Sequence, residues 1–341
     1  MILDHSEYSL YEINEKLRFT LKQYKNHNSY IVPFLCSINN HKRIREILGI
    51  YNVDIIYHAA AYKHVPLSEM NVSEVIQNNV FGSLNLIQSA IEKRVKKFVL
   101  ISTDKAVRPT NIMGATKRIT ELIVQAMVNE KEITFKKPLS SHSTHAIKTK
   151  FSMVRFGNVL GSSGSVVPKF KEQIKLKEDI TITHTDITRF FMTISEAAQL
   201  VIQSAAMARS NNPAEVFILK MGNRVRIYDL ALRMIELSGY SLRSSSNPNG
   251  DIAIKEIGLR PGEKLHEELL IGNNAESTNH NMILKAKEDY IIWEKLLPEL
   301  ELLATLSEEN KVLEIHKLFE KIVEGFKPDK RISDNLYKEK K

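Results

Sequence analysis

The chain has 341 residues, enough for one large domain or two closely packed ones, and its 43% hydrophobic content permits a full core. It contains no uninterrupted apolar run of about eighteen residues, and its first residues lack the basic start and apolar stretch of a signal peptide. We therefore expect no transmembrane span and no secretory leader. A single cysteine, Cys36, excludes an internal disulfide framework and a cysteine-rich metal site, and favours a reducing cytoplasm.

The excess of positive charge is modest and unevenly placed. Lysine and arginine exceed aspartate and glutamate by 48 − 40 = 8, and much of this excess lies in residues 131–150 and 321–341. Solvated loop and tail surfaces explain these segments best, with an anionic ligand or a membrane surface as the alternative. No basic stripe interleaved with aromatic residues lies on one element, so nucleic acid is not an expected partner.

Hydrophobic periodicity predicts alternating strands and helices, the pattern of an α/β fold with a doubly wound parallel sheet. The predicted strands are residues 1–4, 30–35, 53–57, 97–101, 151–156, 180–184, 216–219 and 252–257. The predicted helices are residues 7–24, 73–92, a helix that opens at 113–117, 170–177, 195–208 with Ser195 and Glu196 as its cap, 227–238, 286–305 and 308–325. Surface loops are predicted at 131–150 and 244–250, and a frayed basic tail at 326–341.

Small and polar residues follow two neighbouring predicted strands. Residues 58–61, His-Ala-Ala-Ala, end one strand, and residues 102–105, Ser-Thr-Asp-Lys, end the next. In a doubly wound sheet, ligands bind outside the carboxyl ends of the strands, so both segments are candidates for a functional site. Taken alone, the first segment could reflect tight packing and the second a helix cap.

Four segments carry a resemblance to a known family. They are HAAAYKHVP at 58–66, STDKAV.PTN.MGATKR at 102–118, RFGNVLGSSGSVVP at 155–168 and GLRPGEKL.EEL at 258–269. Over about residues 1–327, the chain resembles the bacterial nucleotide-sugar 4,6-dehydratases of capsule, O-antigen and glycan synthesis, within the extended short-chain dehydrogenase/reductase superfamily. The resemblance implies a Rossmann-like doubly wound sheet with a smaller α+β substrate-binding region, an NAD cofactor and a UDP-sugar substrate.

The resemblance also implies a division of the chain. Residues 1–156 and 184–219 would form an NAD-binding Rossmann domain, 157–183 and 220–284 the nucleotide-sugar-binding region, 285–327 C-terminal helices and 328–341 a basic tail. Relatives begin with a further strand and a glycine-rich turn whose amides bind the dinucleotide pyrophosphate. This sequence shows neither feature before Asp4, so the expected Rossmann domain lacks its first strand and its glycine-rich loop.

The resemblance assigns the cofactor site to residues near the strand ends. Asp4 would hold the adenosine ribose, and the small side chains after the strand at 53–57 would let the cofactor approach the backbone. The full expected set is Asp4, His58, Ala59, Ala60, Ala61, Asn79, Ser102 and Lys117. Relatives place Gly-Asp where this chain has Cys36-Ser37, which removes the usual acidic contact to the adenine. On these grounds we expect the chain as given to bind NAD poorly.

Thr103, Asp104 and Lys105 match the catalytic residues of the family that the chain resembles. Elimination of water from a sugar needs an acid for the leaving 6-hydroxyl and a base for the C5 proton. A buried Asp104 suits the acid, and Lys105 suits the base if desolvation lowers its pKa. Thr103 can hydrogen-bond the 4-hydroxyl.

Met113 and Lys117 stand where most of the superfamily has Tyr-x-x-x-Lys, with both side chains on one helical face. Methionine cannot transfer a proton, yet the Thr-Asp-Lys subgroup has the same pattern, so Met113 does not imply loss of activity. By resemblance, Lys117 would hold the nicotinamide ribose and help to deprotonate the sugar 4-hydroxyl. Without the resemblance, Met113 would be a core residue and Lys117 a surface residue.

The expected sugar-nucleotide contacts lie mainly in the later motifs. They are Lys63, Asn158, Ser165, Val166, Arg260 and Glu263. Arginine matches a phosphate through paired hydrogen bonds, which suits Arg260 to the diphosphate. His142 and His145 have no acid or cysteine partner nearby in the sequence, so a metal site is not expected.

Three hypotheses follow. The first is NAD-dependent 4,6-dehydration of a UDP-N-acetylhexosamine, with UDP-N-acetylglucosamine as the favoured substrate. The second is a nucleotide-sugar epimerase or a C5-inverting dehydratase. The Asp104–Lys105 pair disfavours simple epimerisation, and Met113 disfavours relatives that use the usual tyrosine. The third is an inactive fragment or a binding or assembly subunit, supported by the missing first strand. A homo-oligomer fits any of these, because relatives often associate through helices of this fold.

Overall fold

Sixteen short strands are present in the part of the chain that the structure describes. The computed structural model describes residues 1–24, 29–135, 143–208, 215–270, 275–329 and 331–337. The strands are β1 Ile2–Asp4, β2 Pro33–Leu35, β3 Ile55–His58, β4 Lys97–Ile101, β5 Glu132–Phe135, β6 Ser143–Ala146, β7 Lys150–Arg155, β8 Asn158–Val159, β9 Ile180–Ile182, β10 Thr188–Arg189, β11 Phe191–Met192, β12 Val216–Leu219, β13 Val225–Arg226, β14 Ile254–Glu256, β15 Ala275–Ser277 and β16 Ile283–Ala286.

Helices separate most of the longer strands, as the sequence pattern predicts. They are α1 Glu7–Gln23, α2 His41–Tyr51, α3 Val65–Met70, α4 Val72–Ile76, α5 Ser83–Glu92, α6 Ile112–Asn129, α7 Val166–Lys175, α8 Ile194–Met207, α9 Ile227–Leu237, α10 Trp293–Glu308 and α11 Val312–Ile322. The predicted helix at 73–92 is α4 and α5 joined by a π-helical turn at Gln77–Gly82. None of the helices in the described ranges combines the length and hydropathy needed to cross a bilayer.

The central sheet places the carboxyl ends of its parallel strands together. Its order is β15-β16-β12-β7-β4-β3, in which β12, β7, β4 and β3 are parallel, β16 pairs antiparallel with β12, and β15 pairs antiparallel with β16. Strands β4 and β12 are apolar and largely buried, as expected for strands covered on both faces. The predicted α/β fold with a doubly wound parallel sheet is confirmed.

Strands β1 and β2 form a separate parallel pair beside this sheet. By resemblance, β1 and β2 correspond to the second and third strands along the chain of a Rossmann sheet of order 3-2-1-4-5-6, and β3 corresponds to the fourth. Within the described residues, β1 pairs only with β2, and β3 pairs only with β4. Ile55 and Tyr57 of β3 are 42% and 44% exposed, which is high for a central strand of such a sheet.

Helix α6 lies inside the molecule and organises the main core. Every residue of α6 from Ile112 to Met127 is buried. The same core contains the buried faces of α4, α5, α10 and α11, and an edge-to-face contact joins the rings of Phe135 and Trp293 at 6.3 Å. The C-terminal helices therefore cover a face that would otherwise leave α6 open to solvent.

A separate apolar cluster is distinct from the core around α6. Its buried members are Phe170, Ile174, Ile180, Ile182, Ile187, Ile227, Ala231, Ile235 and Ile252. They come from α7, β9, α9 and the segments before β10 and β14, which matches most of the predicted nucleotide-sugar-binding region. The division into domains stays a prediction, with Ile187 and β16 crossing its proposed boundaries.

Two predictions about secondary structure are wrong. Residues 131–150 are not simply a loop, since β5 and β6 pair antiparallel and the alternation in Glu132–Phe135 buries Ile133 and Phe135. His142 lies outside the described residues. The predicted helix at 286–305 begins only at Trp293, and its predicted first residue, Ala286, instead ends β16, which pairs with β12.

Two terminal features also differ from the predictions. Thr193, not Ser195, caps α8, since its hydroxyl accepts from Glu196 N at 3.2 Å and the Glu196 carboxylate accepts from Thr193 N at 2.7 Å. Residues 331–337 are not a frayed tail. Asn335 N donates to Met70 O at 3.0 Å, and the buried Asp334 carboxylate accepts from Val72 N at 2.9 Å and Leu336 N at 2.9 Å.

Replacing Asp334 by alanine should lower the free energy of unfolding by about 1–2 kcal/mol, because it removes the acceptor of a buried amide at the start of α4. Denaturant unfolding of the 341-residue chain measures the change. The exposed Glu324→Ala variant is the matched control and should stay within about 0.5 kcal/mol of the parent. Equal stability of Asp334→Ala and the control would show that the tail does not support α4.

His58 ends β3 and points into the core. It is 2% exposed, and its Nε2 lies 2.7 Å from Ser83 Oγ. Because the Ser83 hydroxyl donates its one proton to Asn79 O at 2.6 Å, His58 Nε2 must be the donor in this pair. Burial, together with the nearby charge of Lys117, lowers the pKa of His58 from 6.5 to about 3.

This lowered pKa predicts acid sensitivity. An unfolded chain takes up a proton at His58 below pH 6.5, whereas the folded chain does so only near pH 3. The contribution of neutral His58 to the free energy of unfolding is therefore complete above pH 6.5. Below pH 6.5 this contribution falls by at most about 1.4 kcal/mol per pH unit. His58→Gln keeps a donor for Ser83 but cannot titrate, so its unfolding free energy should decline less steeply between pH 7 and 5. Parallel pH profiles of parent and variant would contradict this account.

Candidate active site

A cavity of about 370 Å³ opens at the carboxyl ends of β3, β4 and β7. Its lining includes Ala59, Ala61, Tyr62, Lys63, His64, Ser102, Thr103, Lys105, Met113, Lys117, Asn158, Gly164 and Ser165. The sheet topology explains this gathering, since parallel strands deliver the loops that follow them to one edge. Residues from three of the four sequence motifs therefore share one cavity.

Asp104 lies beneath the cavity wall in the short helical turn Asp104–Ala106. Thr103 caps this turn, and Asp104 N donates to Phe156 O at 3.1 Å, which fixes the turn to the end of β7. The Asp104 side chain is fully buried, and its Oδ2 has no hydrogen-bond partner among the described residues. A buried carboxyl with a free oxygen is suited to give or accept a proton.

Lys105 reaches across the site to two side chains. Its Nζ lies 3.0 Å from Asp104 Oδ1 and 3.2 Å from Asn158 Oδ1. Desolvation pulls the pKa of Lys105 down, but the carboxylates of Asp104 and Glu267 outweigh it, and the pKa is raised. The expectation that desolvation would lower this pKa is wrong, because the amine is buried together with opposite charges.

The glycine of the MGATKR motif permits a close approach between two elements. A Cβ on Gly114 would lie 2.2 Å from the Lys105 carbonyl oxygen, a distance that no side chain tolerates. Glycine therefore lets the first turn of α6 pack directly on the turn that carries Asp104. Met113 is 3% exposed and lines the cavity with an apolar side chain.

Lys117 faces the same cavity from α6. Its Nζ donates to Ile101 O at 2.7 Å, and its side chain is almost completely buried. Burial lowers the pKa of Lys117 to about 8, although the Glu121 carboxylate opposes this shift. About a tenth of this amine is therefore neutral at pH 7, far more than for an ordinary lysine, which suits it to exchange a proton with a bound hydroxyl.

A buried ionic network supports the floor of the site. Arg155, the last residue of β7, donates to Glu121 of α6 at 2.6–2.7 Å and to Glu288. Arg118 lies 3.0 Å from both carboxylates, and Ser102 Oγ donates to Glu121 at 2.6 Å. These contacts hold the pKa of Glu121 at about 2 against the effect of burial.

The expected cofactor residues are placed in different ways. Ala59 and Ala61 line the cavity. Asn79 is buried, and its side chain accepts from Tyr62 N at 2.7 Å and donates to Tyr62 O at 3.0 Å. Asp4 ends β1 and accepts from Ser6 N at 2.7 Å. The side chains of His58 and Ser102 are occupied by Ser83 and Glu121, and Ala60 does not line the cavity.

The site suits the nicotinamide riboside of a dinucleotide better than it suits the pyrophosphate. Small side chains and the Lys117 amine suit a nicotinamide riboside, because they leave room beside the backbone and supply a donor. A pyrophosphate also needs main-chain amides, usually from a glycine-rich turn. Within the described ranges, no glycine-rich turn follows β1 or β3.

A second hollow of about 160 Å³ shares a wall with the first. Asn158, Gly164 and Ser165 line both hollows, whereas Val166, Arg260 and Glu263 line only the second. Glu263 accepts from the buried Arg189 at 3.1 Å. Lys63 instead lines the first hollow, and burial lowers its pKa. The two hollows together bring all six predicted sugar-nucleotide residues around one continuous wall.

Three charged residues of the site were missed by sequence reasoning. Glu121 follows Lys117 by four residues on α6, a spacing that predicts a shared helical face. Arg155 begins the RFGNVLGSSGSVVP motif, and Glu267 lies near the end of the last motif. Their pairing could not be read from the sequence, because it joins residues more than thirty positions apart. Across the described residues, no cluster of His, Cys, Asp or Glu is arranged to hold a metal ion.

Two curated proteins show what this chain is similar to. The capsular polysaccharide biosynthesis protein CapD of Staphylococcus aureus is 44% identical over 293 residues, which cover 86% of this chain and 44% of CapD. An inverting UDP-N-acetylglucosamine 4,6-dehydratase of Campylobacter jejuni is 33% identical over 266 residues, covering 76% of this chain and 70% of that enzyme. The chain thus spans less than half the length of CapD.

Solved structures agree with the fold. Pen from Bacillus thuringiensis is 32% identical with a TM-score of 0.66, and the match covers 85% of this chain and 81% of Pen. DesIV, a dTDP-glucose 4,6-dehydratase of Streptomyces venezuelae with NAD bound, has a TM-score of 0.58 over 74% of each chain at 16% identity. Residues 1–288 match the family described as Polysaccharide biosynthesis protein. The chain belongs to this polysaccharide biosynthesis family.

Proposed function

We propose that this protein carries the catalytic region of an NAD-dependent dehydratase that converts a UDP-N-acetylhexosamine, UDP-N-acetylglucosamine in the first place, to a 4-keto-6-deoxy sugar nucleotide. The observation that carries the proposal is the contact between Asp104 and Lys105 at a cavity joined to the hollow of Arg260. An acid and an amine side by side are what elimination of water requires. The identity to a UDP-N-acetylglucosamine 4,6-dehydratase supports the same reaction.

The residues of the site divide the chemistry between them. Lys105 would first pass its ammonium proton to the Asp104 carboxylate at 3.0 Å. The neutral Lys105 amine would then take the C5 proton, and the protonated Asp104 would give its proton to the leaving 6-hydroxyl. Lys117, with its pKa of about 8, would take the proton of the 4-hydroxyl while Thr103 holds that hydroxyl. NAD, when bound, would accept hydride from C4 and return it to C6. Met113 adds an apolar wall and moves no proton.

The second hollow suits the nucleotide diphosphate. Arg260 is exposed at its rim and lies near Lys169, so two cations face the same space. Asn158 stands between the two hollows and accepts from Lys105, which would link the diphosphate to the reacting sugar. Positive charge at this wall favours an anionic ligand.

Broader parts of the proposal concern the pathway, the location and the assembly of the protein. The reaction would serve surface polysaccharide synthesis, as the name of the capsular relative suggests. A cytoplasmic location is proposed from the single cysteine. A homo-oligomer is proposed as well, through surfaces other than α6, because α6 is already covered. An assembly or binding role is the second candidate, favoured by the pairing of β1 and β2 with each other and not with the main sheet among the described residues.

Replacing Asp104 by asparagine or Lys105 by alanine should each lower the dehydration rate by about 10²–10⁴-fold, since each removes one partner in proton transfer. Product formation from UDP-N-acetylglucosamine measures the rate in the 341-residue chain supplied with NAD. Thermal unfolding should show that both variants stay folded.

Asp54 and Lys96 provide a matched control. They form an exposed Asp–Lys pair at 2.7 Å, so Asp54→Asn and Lys96→Ala make the same chemical changes away from the cavity. Both control variants should keep the parental rate. Parental rates in Asp104→Asn and Lys105→Ala would overturn the proposed roles.

Calorimetry should show UDP binding to the parent and weaker binding, by about tenfold or more, to Arg260→Ala, because a charge-assisted phosphate contact is lost. Arg233→Ala, exposed on α9, is the control and should match the parent. NAD should bind more weakly than UDP, since the described residues provide no glycine-rich turn for its pyrophosphate. Tight NAD binding with no measurable UDP binding would contradict the assignment of the second hollow to the nucleotide diphosphate of the UDP-sugar.

A further inference from the structure

Glu267 is a buried carboxylate beside the Asp104–Lys105 pair. It is 4% exposed, and its Oε1 lies 3.9 Å from Lys105 Nζ. Its Oε2 is enclosed and has no hydrogen-bond partner in the described part of the chain. An acid this well buried is unusual unless it is compensated by nearby positive charge.

Hydrogen bonds fix the backbone of Glu267 and of the segment that leads to it. The Gly262 carbonyl accepts from Thr110 Oγ1 at 2.8 Å and from Asn111 Nδ2 at 3.0 Å. Farther along, Thr188 N donates to Leu265 O at 3.1 Å, and an Arg224 guanidinium donates to Glu267 O at 3.1 Å. The segment that carries this carboxylate is therefore held by hydrogen bonds to the residues at the start of α6 and to β10.

The charges around Lys105 come from several elements. Asp104 and Glu267 are the two carboxylates that face it, and Arg189 is the opposing cation. Arg189 and Lys264 also face Glu267, where burial is the main cause of a raised pKa. Because 3.9 Å exceeds hydrogen-bond length, Glu267 acts on Lys105 through charge rather than through a shared proton.

We propose that Glu267 is a positioning residue of the acid–base centre, which acts through Lys105 and decides, together with Asp104, when the lysine amine is charged. Asp104 alone would give Lys105 one carboxylate partner, and Glu267 supplies the second from the opposite chain segment. The inference rests on the proposed function, in which Lys105 must be neutral before it takes the C5 proton.

The test measures the charge of Lys105 directly, without turnover. Competitive trace labelling with acetic anhydride, read for each lysine by peptide mass spectrometry, gives the pH of half-labelling over about pH 7 to 12. In the full chain, Glu267→Gln should move this pH for Lys105 downward by about one unit, because one of two facing negative charges is gone. The exposed Lys96 in the same digest should not move.

Glu268 provides the matched control. It is the next residue, it is about 40% exposed, and it pairs with Arg108 at 3.1 Å instead of facing the site. Glu268→Gln should leave the half-labelling pH of Lys105 unchanged. An unchanged value in Glu267→Gln, or an equal shift in Glu268→Gln, would overturn the proposal.

A second variant keeps the test decisive if glutamine at this position disturbs folding. Glu267→Asp keeps the charge and withdraws it by one methylene, so the half-labelling pH should fall by less than in Glu267→Gln, yet measurably. No shift in a folded Glu267→Asp would count against the role. Because the readout needs no activity, a shift without dehydratase activity would support Glu267 while refuting the proposed reaction.

Discussion

The buried pairing of Arg155 with Glu121 and Glu288 is the constraint on which the site depends. It joins the end of β7 to α6 and to the residues after β16, three parts of the chain that are distant in sequence. Removing one member of a buried ion pair costs about 3–5 kcal/mol, because the other charge remains desolvated. Ser102 belongs to the same network, so the end of β4 is also fixed.

This network explains why two buried lysines behave differently. Lys105 contacts Asp104 directly, and this opposite charge raises the pKa of its amine. Among the described residues, Lys117 has a carbonyl as its hydrogen-bond partner, while the charge of its neighbour Glu121 is largely balanced by two arginines. Burial therefore dominates for Lys117 and lowers its pKa. The pKa values of these two lysines therefore shift in opposite directions because their neighbouring groups differ.

The described residues form one main sheet with a shared core, and β1 and β2 form a separate strand pair. The sheet from β3 to β12, α6 and the C-terminal helices share one core, and the tail at 331–337 adds hydrogen bonds to α4. Strands β1 and β2 pair only with each other among the described residues. The proposed catalytic groups follow β4 or lie on α6, whereas the expected adenosine contact, Asp4, lies on β1.

The sequence by itself determined the fold class, the order of the main strands and the residues that gather at the sheet edge, because periodicity and strand-end composition are local signals. It also placed Thr103, Asp104 and Lys105 through a long motif. Only the tertiary structure showed the hairpin of β5 and β6, the added strand β16 and the folded tail, since each depends on partners far along the chain. It also decided that the pKa of Lys105 is raised, because the Asp104 carboxylate meets the amine at 3.0 Å and the distant Glu267 adds a second negative charge.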